Sequence, residues 1–304
     1  MPIIIPEALP AFKILSEENI FIMSKQRAAS QDIRPIEVAI LNLMPTKIET
    51  ETQFMRLLSN TPLQVNITLI QTATYQSKNI SFEHMEKFYK RFDEIKNQCF
   101  DGLIITGAPV ENMDFESVDY WSELKEILDY ARSSVTSMVF VCWGAQAALY
   151  HYFGINKIKL EKKLFGVFKN KAISRHDLLL KGFDDTFYVP HSRHTSIDER
   201  ALRANVDIQV LASGQASGIS VAKTVDNRMF FFFGHTEYDK DTLKNEYMRD
   251  CEKGIEIARP VGYFRDGGND KIVMNWRSTG NLLFYNWLNY YVYQVTPYHL
   301  GERK

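Results

Sequence analysis

Along the chain, apolar and polar positions change their period in an ordered way. "IEVAILNL" (36–43) is a continuous apolar run of strand length, and "TKIETETQFMRLLSN" (46–60) has the spacing of an amphipathic helix. "VNITLIQ" (65–71) reads as the next strand, "SFEHMEKFYKRFDEIKNQ" (81–98) as a second helix and "GLIITG" (102–107) as a third strand. "YWSELKEILDYARSS" (120–134) puts Trp121, Leu124, Ile127 and Leu128 on one helical face, and "SMVFVC" (137–142) is a fourth strand leading into a helix over 144–152. Strand alternating with helix predicts a parallel sheet. Its apolar runs predict strands covered on both faces, with the site at their carboxyl ends.

Beyond residue 152 the rhythm becomes strand after strand: "KKLFGVFKNKAI", "TFYVPHSRHTSI", "DIQVLASG", "ASGISVAKT" and "RMFFFFGH", an antiparallel or mixed half. The helix "DKDTLKNEYMRDCEKGIEIA" (239–258), a turn over 266–270 and a last helix, "TGNLLFYNWLNYYVYQV" (279–295), complete the chain. No repeat, low-complexity tract or long linker divides it. The expected organisation is an N-terminal arm (1–35) and one α/β domain (36–304), a mostly parallel sheet with helices on both faces and a C-terminal helix.

Composition narrows the chemistry. With 304 residues, 45% hydrophobic and 24% charged, the chain is an ordinary globular protein. Its formal net charge of -1 and its lack of long single-sign runs speak against a nucleic-acid groove or a basic membrane patch. Small molecules are the expected partners. Three scattered cysteines, Cys99, Cys142 and Cys251, with no CxxC pair, fit neither a disulfide framework nor a zinc site, and cytoplasm is the expected compartment. No apolar stretch approaches the roughly 18 to 20 residues that span a bilayer. Prolines at positions 2, 6 and 10 interrupt the apolar N-terminus, which reads as an ordered arm, not a signal peptide.

Cys142 stands at the junction of "MVFV" and a run of helix formers, the layout of a nucleophile elbow in which Gly144 and Ala145 relieve crowding. A helix N-terminus favours the thiolate, the nucleophilic form. An isolated cysteine after a strand is ordinarily a core residue, so the elbow needs a base. "FFFFGHTEY" (230–238) offers one: His235 and Glu237 follow a strand end at i, i+2, a spacing that puts both side chains on one side of an extended segment. Backbone N–H groups of Trp143 and of the small-residue turn Gly107-Ala108-Pro109 are oxyanion-hole candidates, Ala108 among them. His191 and His194 have an i, i+3 spacing but no third ligand near in sequence, so no metal is expected.

Read in order, "LNLMPTKIETETQFMRLLSNTPLQV", "DGLIITGAPVE", "VFVCWGAQAALYHYFGI", "KKLFGVF", "VPHSRHT", "FFFGHTEYD" and "WRSTGNLLFYNWLNYYVYQVTPY" resemble the homoserine O-acyltransferase family of methionine biosynthesis, also called homoserine transsuccinylases. The resemblance covers nearly the whole chain. It implies a fold similar to class I glutamine amidotransferases, flavodoxin-like in its sheet. It also implies roles: Cys142 as acyl-thioester nucleophile, His235 as proton acceptor and Glu237 beside it. Lys163 of "KKLFGVF", Ser192 of "VPHSRHT" and Arg249 of "NEYMRD" are then placed at the amino-acid substrate, although each alone reads as an ordinary surface or turn residue.

The implied reaction moves an acyl group from coenzyme A to the hydroxyl of L-homoserine by a ping-pong route with an acyl-cysteine intermediate. Glu111 of "GAPVENMDF" is the expected donor selector. In the resembled family, glutamate at this position goes with acetyl and glycine with succinyl donors, and a carboxylate there would repel a succinyl tail. The expectation is therefore a homoserine O-acetyltransferase using acetyl-CoA as co-substrate, with no resident cofactor, assembled as a homodimer. Homoserine O-succinyltransferase, a glutamine amidotransferase-type hydrolase and a non-catalytic metabolite sensor are the alternatives. The sequence does not locate the coenzyme A pocket.

Overall fold

The structure is a computed structural model describing residues 3–31, 33–74, 80–265, 268 and 271–296; of the turn expected over 266–270, all but Gly268 lies outside the described residues. One sheet runs through the molecule. In spatial order its strands are Ile22–Met23, Ile3–Ile4, Val65–Gln71, Ile36–Leu41, Phe100–Ile105, Val135–Val141, Met229–Phe232, Gly218–Thr224, Ile208–Gly214, Lys157–Ala172 and Thr186–Ile197, with Tyr89–Arg91 branching off beside Val65–Gln71. Pairing is parallel from the Ile22–Met23 edge to Met229–Phe232 and antiparallel from there to the far edge. The change of direction falls at the strand leading to His235.

Both faces are buried, as the apolar runs require. Phe230 and Phe232 face one core with Phe54, Phe284 and Trp287, while Phe231 and Phe233 face the other with Phe140, Leu124 and Ala148. That alternation is the period-two geometry of a strand sandwiched between helices. Lys47–Leu58 and Arg277–Asn286 cover the first face, and Trp121–Ser134 and Trp143–Phe153 the second. The C-terminal helix continues as π-helix over Trp287–Tyr293. The N-terminal residues join the sheet, Ile3 pairing with both Ile22 and Val65.

Two expected helices are redrawn. The single helix over 81–98 is two short ones, Phe82–Phe88 and Phe92–Ile95, divided by the strand Tyr89–Arg91. The cause is Tyr89: it is buried, its hydroxyl donates to Glu51 (2.5 Å) and accepts from Asn42 (2.9 Å), and its backbone pairs with Leu69. The helix expected over 239–258 is Thr242–Glu252, because residues 239–241 are drawn into the loop that carries His235, where Asp239 pairs with Arg56. The helices Pro10–Glu17 and Lys25–Ala29 within the expected arm, and the short helix Glu199–Ala204, were not anticipated.

Candidate active site

The strand Val135–Val141 ends at Cys142, whose φ of 50° and ψ of −113° lie in strained territory for a residue with a Cβ. The neighbouring strand holds the turn in place, since the Cys142 N–H donates to the Phe232 carbonyl (2.7 Å). Gly144 makes the turn sterically feasible: a Cβ there would sit 2.6 Å from the Thr106 carbonyl and 2.8 Å from that of Ile105. The helix Trp143–Phe153 therefore starts directly against the carboxyl end of Phe100–Ile105.

His235 is positioned from the opposite side, its N–H donating to the Pro190 carbonyl (2.8 Å). Its ring Nδ1–H donates to Glu237 Oε1 (2.6 Å), and both side chains are only 5% exposed. The ring also has Cys142 as a hydrogen-bond partner. Residues 235–237 form a turn, closed by Tyr238 N–H to the His235 carbonyl (3.3 Å), not an extended segment. The H-x-E pair thus meets by turn geometry, contrary to the strand geometry expected from i, i+2. Gly280 of the C-terminal helix permits this turn, because a Cβ would lie 2.4 Å from the Thr236 carbonyl. Tyr238 stacks on the imidazole at 4.2 Å between ring centroids.

Burial alone would favour neutral His235, but the negative charge at Cys142, and after it that of Glu237, outweigh this and hold the ring well above its ordinary pKa. The direction favours a protonated imidazole next to Cys142. His191, at the same depth, is pushed the other way by burial and then by the nearby Arg193 charge. It is fully buried whereas His194 lines the open cleft, so these two histidines do not converge. Among the described residues no cluster of three or more His, Cys, Asp or Glu could hold a metal ion.

Cys142 and His235 open into a cleft of about 470 Å³ that also reaches Glu111, Lys163, Ser192 and Arg249. Every one of the expected substrate positions therefore meets in one cavity. Trp143, which supplies the first helical N–H after Cys142, Ala108 and Gly107 border the same space, and a Cβ on Gly107 would lie 3.4 Å from that of Cys142. Glu111 Oε2 accepts from the backbone N–H groups of His194 (2.8 Å) and Thr195 (3.0 Å).

Glu246 was not foreseen, and it organises the end of the cleft lined by Lys163, Ser192 and Arg249. Its Oε1 accepts from Lys163 Nζ (2.6 Å) and Ser192 Oγ (2.7 Å), with Arg249 3.9 Å away. Arg249 is in turn engaged by Asp250 through Nε (2.9 Å) and Nη2 (2.7 Å). The helix spacing of Glu246, Arg249 and Asp250, at i, i+3 and i+4, is a signal that could have marked a shared polar face.

The solved structure of a glutamine amidotransferase from Methylobacillus flagellatus is similar in fold, with TM-score 0.53 and 11% identity, covering 84% of this chain and 95% of that one. The molecule thus has an α/β fold like that of glutamine amidotransferases, with a cysteine, a histidine and a glutamate brought together at its sheet edge. The family model described as homoserine O-succinyltransferase matches residues 2–298, and the chain belongs to that family. Two relatives are named homoserine O-acetyltransferase: one from Ilyobacter polytropus, 54% identical over 99% of this chain and 100% of its own length, and one from Acetivibrio thermocellus, 53% identical over 100% of both.

Proposed function

We infer that this enzyme is a homoserine O-acetyltransferase that passes acetyl from acetyl-CoA to L-homoserine through an acyl-cysteine on Cys142. The observation that carries the reading is the meeting, in one cleft, of Cys142 and of His235, held from behind by Glu237, with the fixed carboxylate of Glu111. Relatives of the same name at more than half identity support it.

The Cys142 thiolate attacks the thioester carbonyl. Trp143 N–H and Ala108 N–H stabilise the resulting oxyanion, and protonated His235 gives its proton to the departing coenzyme A sulfur. His235, now neutral, takes the proton from the homoserine hydroxyl as that oxygen attacks the acyl-cysteine. Collapse of the second tetrahedral intermediate releases O-acetylhomoserine and restores the thiolate. Glu237 holds the imidazole by its Nδ1–H throughout, leaving Nε2 for proton transfer.

Lys163, Ser192 and Arg249 bind homoserine. Its α-carboxylate is taken by the Arg249 guanidinium, whose side chain is 54% exposed and presents further N–H groups to the cleft. Its ammonium group is taken by Glu246 on exchange with the Lys163 contact. The enzyme uses no resident cofactor and works as a cytoplasmic homodimer; its three free cysteines fit a reducing compartment. No helix among the described residues is long and apolar enough to cross a membrane.

Kinetics test the reading. Double-reciprocal plots should be parallel, kcat/KM should strongly favour acetyl-CoA over succinyl-CoA, and Glu111→Gly should raise succinyl-CoA use. Intersecting plots, or equal rates with both donors, would contradict it.

A further inference from the structure

The wall that carries Glu111 is more tightly built than a loop carboxylate needs. Besides the two backbone N–H groups, the Thr195 hydroxyl lies 3.0 Å from Glu111 Oε2. The same hydroxyl lies 3.0 Å from the Gln146 side-chain amide. A hydroxyl has one proton to give, so the arrangement is fully satisfied when the Gln146 amide turns its NH2 toward Thr195 Oγ1 and the hydroxyl donates to Glu111. Gln146 sits one turn past the nucleophile, its N–H on the Cys142 carbonyl (3.2 Å). From the far side the buried Arg193 donates to the carbonyls of Thr195 (2.9 Å) and Ser217 (2.7 Å). Lys157 Nζ donates to the carbonyls of Glu111 (2.7 Å) and Met113, pinning the loop itself.

We propose that Thr195 is a specificity-determining positioning residue: its hydroxyl locks the Glu111 carboxylate into the cleft, so that an acyl chain ending in a second carboxylate is refused and acetyl is admitted. The inference rests on the reading of Glu111 as donor selector. A glutamate on an untethered loop would rotate toward solvent when a succinyl group arrived, and its repulsion would largely be lost. Three donors on one carboxylate oxygen close that escape.

The test is the ratio of kcat/KM for acetyl-CoA to that for succinyl-CoA in wild type, Thr195→Val, Thr195→Ser, Glu111→Gly and the double variant Glu111→Gly/Thr195→Val. Valine keeps the branched shape and deletes the hydroxyl; serine does the reverse. Losing a hydrogen bond to a charged group should lower the ratio about tenfold in Thr195→Val, chiefly by raising succinyl-CoA kcat/KM. Thr195→Ser should keep the wild-type ratio, and Thr195→Val should add nothing once Glu111 is glycine. If the valine variant does not fold, Thr195→Ala against Thr195→Ser isolates the same hydroxyl, with loss expected only in alanine. A ratio in the hydroxyl-free variants within twofold of wild type, or wild-type behaviour in valine with loss in serine, overturns the proposal. A wild-type enzyme indifferent to the donor overturns the underlying donor reading instead, and needs no variant to detect.

Discussion

The two sides of the cleft are built differently. Cys142, His235 and Glu237 stand at the carboxyl edge of the parallel strands, nearly buried, each backbone or side chain anchored by a neighbouring strand or turn. Lys163, Ser192, Glu246 and Arg249 come from the antiparallel hairpin and the helix Thr242–Glu252, and they meet through side-chain ion pairs and the Ser192 hydrogen bond, with Arg249 more than half exposed. A group that must form and break a covalent bond needs fixed geometry and a low-dielectric setting. Groups that capture a charged ligand must exchange partners with it, and Arg249, the exposed member of this otherwise half-buried cluster, is held weakly enough to do so. On the proposed function the difference separates chemistry from recognition, and it can be broken experimentally.

The largest effect is expected at the buried side. Cys142→Ser should lower turnover by at least about 10³-fold and remove the covalent adduct, because the serine hydroxyl is far less ionised at neutral pH. Near wild-type turnover would take Cys142 out of the mechanism. On the exposed side, Arg249→Ala should raise the homoserine KM about tenfold or more while leaving coenzyme A release in the first half-reaction intact, as measured by thiol detection in single turnovers. Equal loss in both half-reactions would erase the division between the two walls.

The smallest expected effect is on stability. His235 is held above its unfolded value of about 6.5, so its pairing stabilises the fold fully below that pH and the contribution is lost as pH rises through the raised folded value. Glu237→Gln removes part of what raises it. The stability gap between wild type and Glu237→Gln, from denaturant titrations, should be widest below about pH 6.5 and narrow with increasing pH. A gap that widens on the alkaline side would contradict a protonated His235.

These two sides were not equally legible in the sequence. The elbow at Cys142 and the pair at His235 and Glu237 lie at strand ends marked by unbroken apolar runs, so local pattern suffices to find them. Gly144 carries its own physical signature there. Glu246 gains its role from Lys163, 83 positions away, and Thr195 from Glu111, 84 away; neither distance leaves a trace in periodicity. Lys163, Ser192, Arg249 and Glu111 were reachable only through the family resemblance, for the same reason. Within the fold, the parallel half followed its strand and helix pattern except in the arm, which adds the strands Ile3–Ile4 and Ile22–Met23 to the sheet, and at 81–98. At 81–98 the polar partners of Tyr89, Asn42 and Glu51, pull a helical sequence into the sheet edge, a tertiary override of local preference.

The central claim is that acetyl is carried on Cys142. Intact mass spectrometry of the enzyme mixed with acetyl-CoA, followed by peptide mapping, reads it directly. One acetyl group should appear on Cys142 and disappear when L-homoserine is added, with little or no adduct from succinyl-CoA. No adduct, an acetyl group on another residue, or an acetyl-cysteine that homoserine fails to discharge would contradict it.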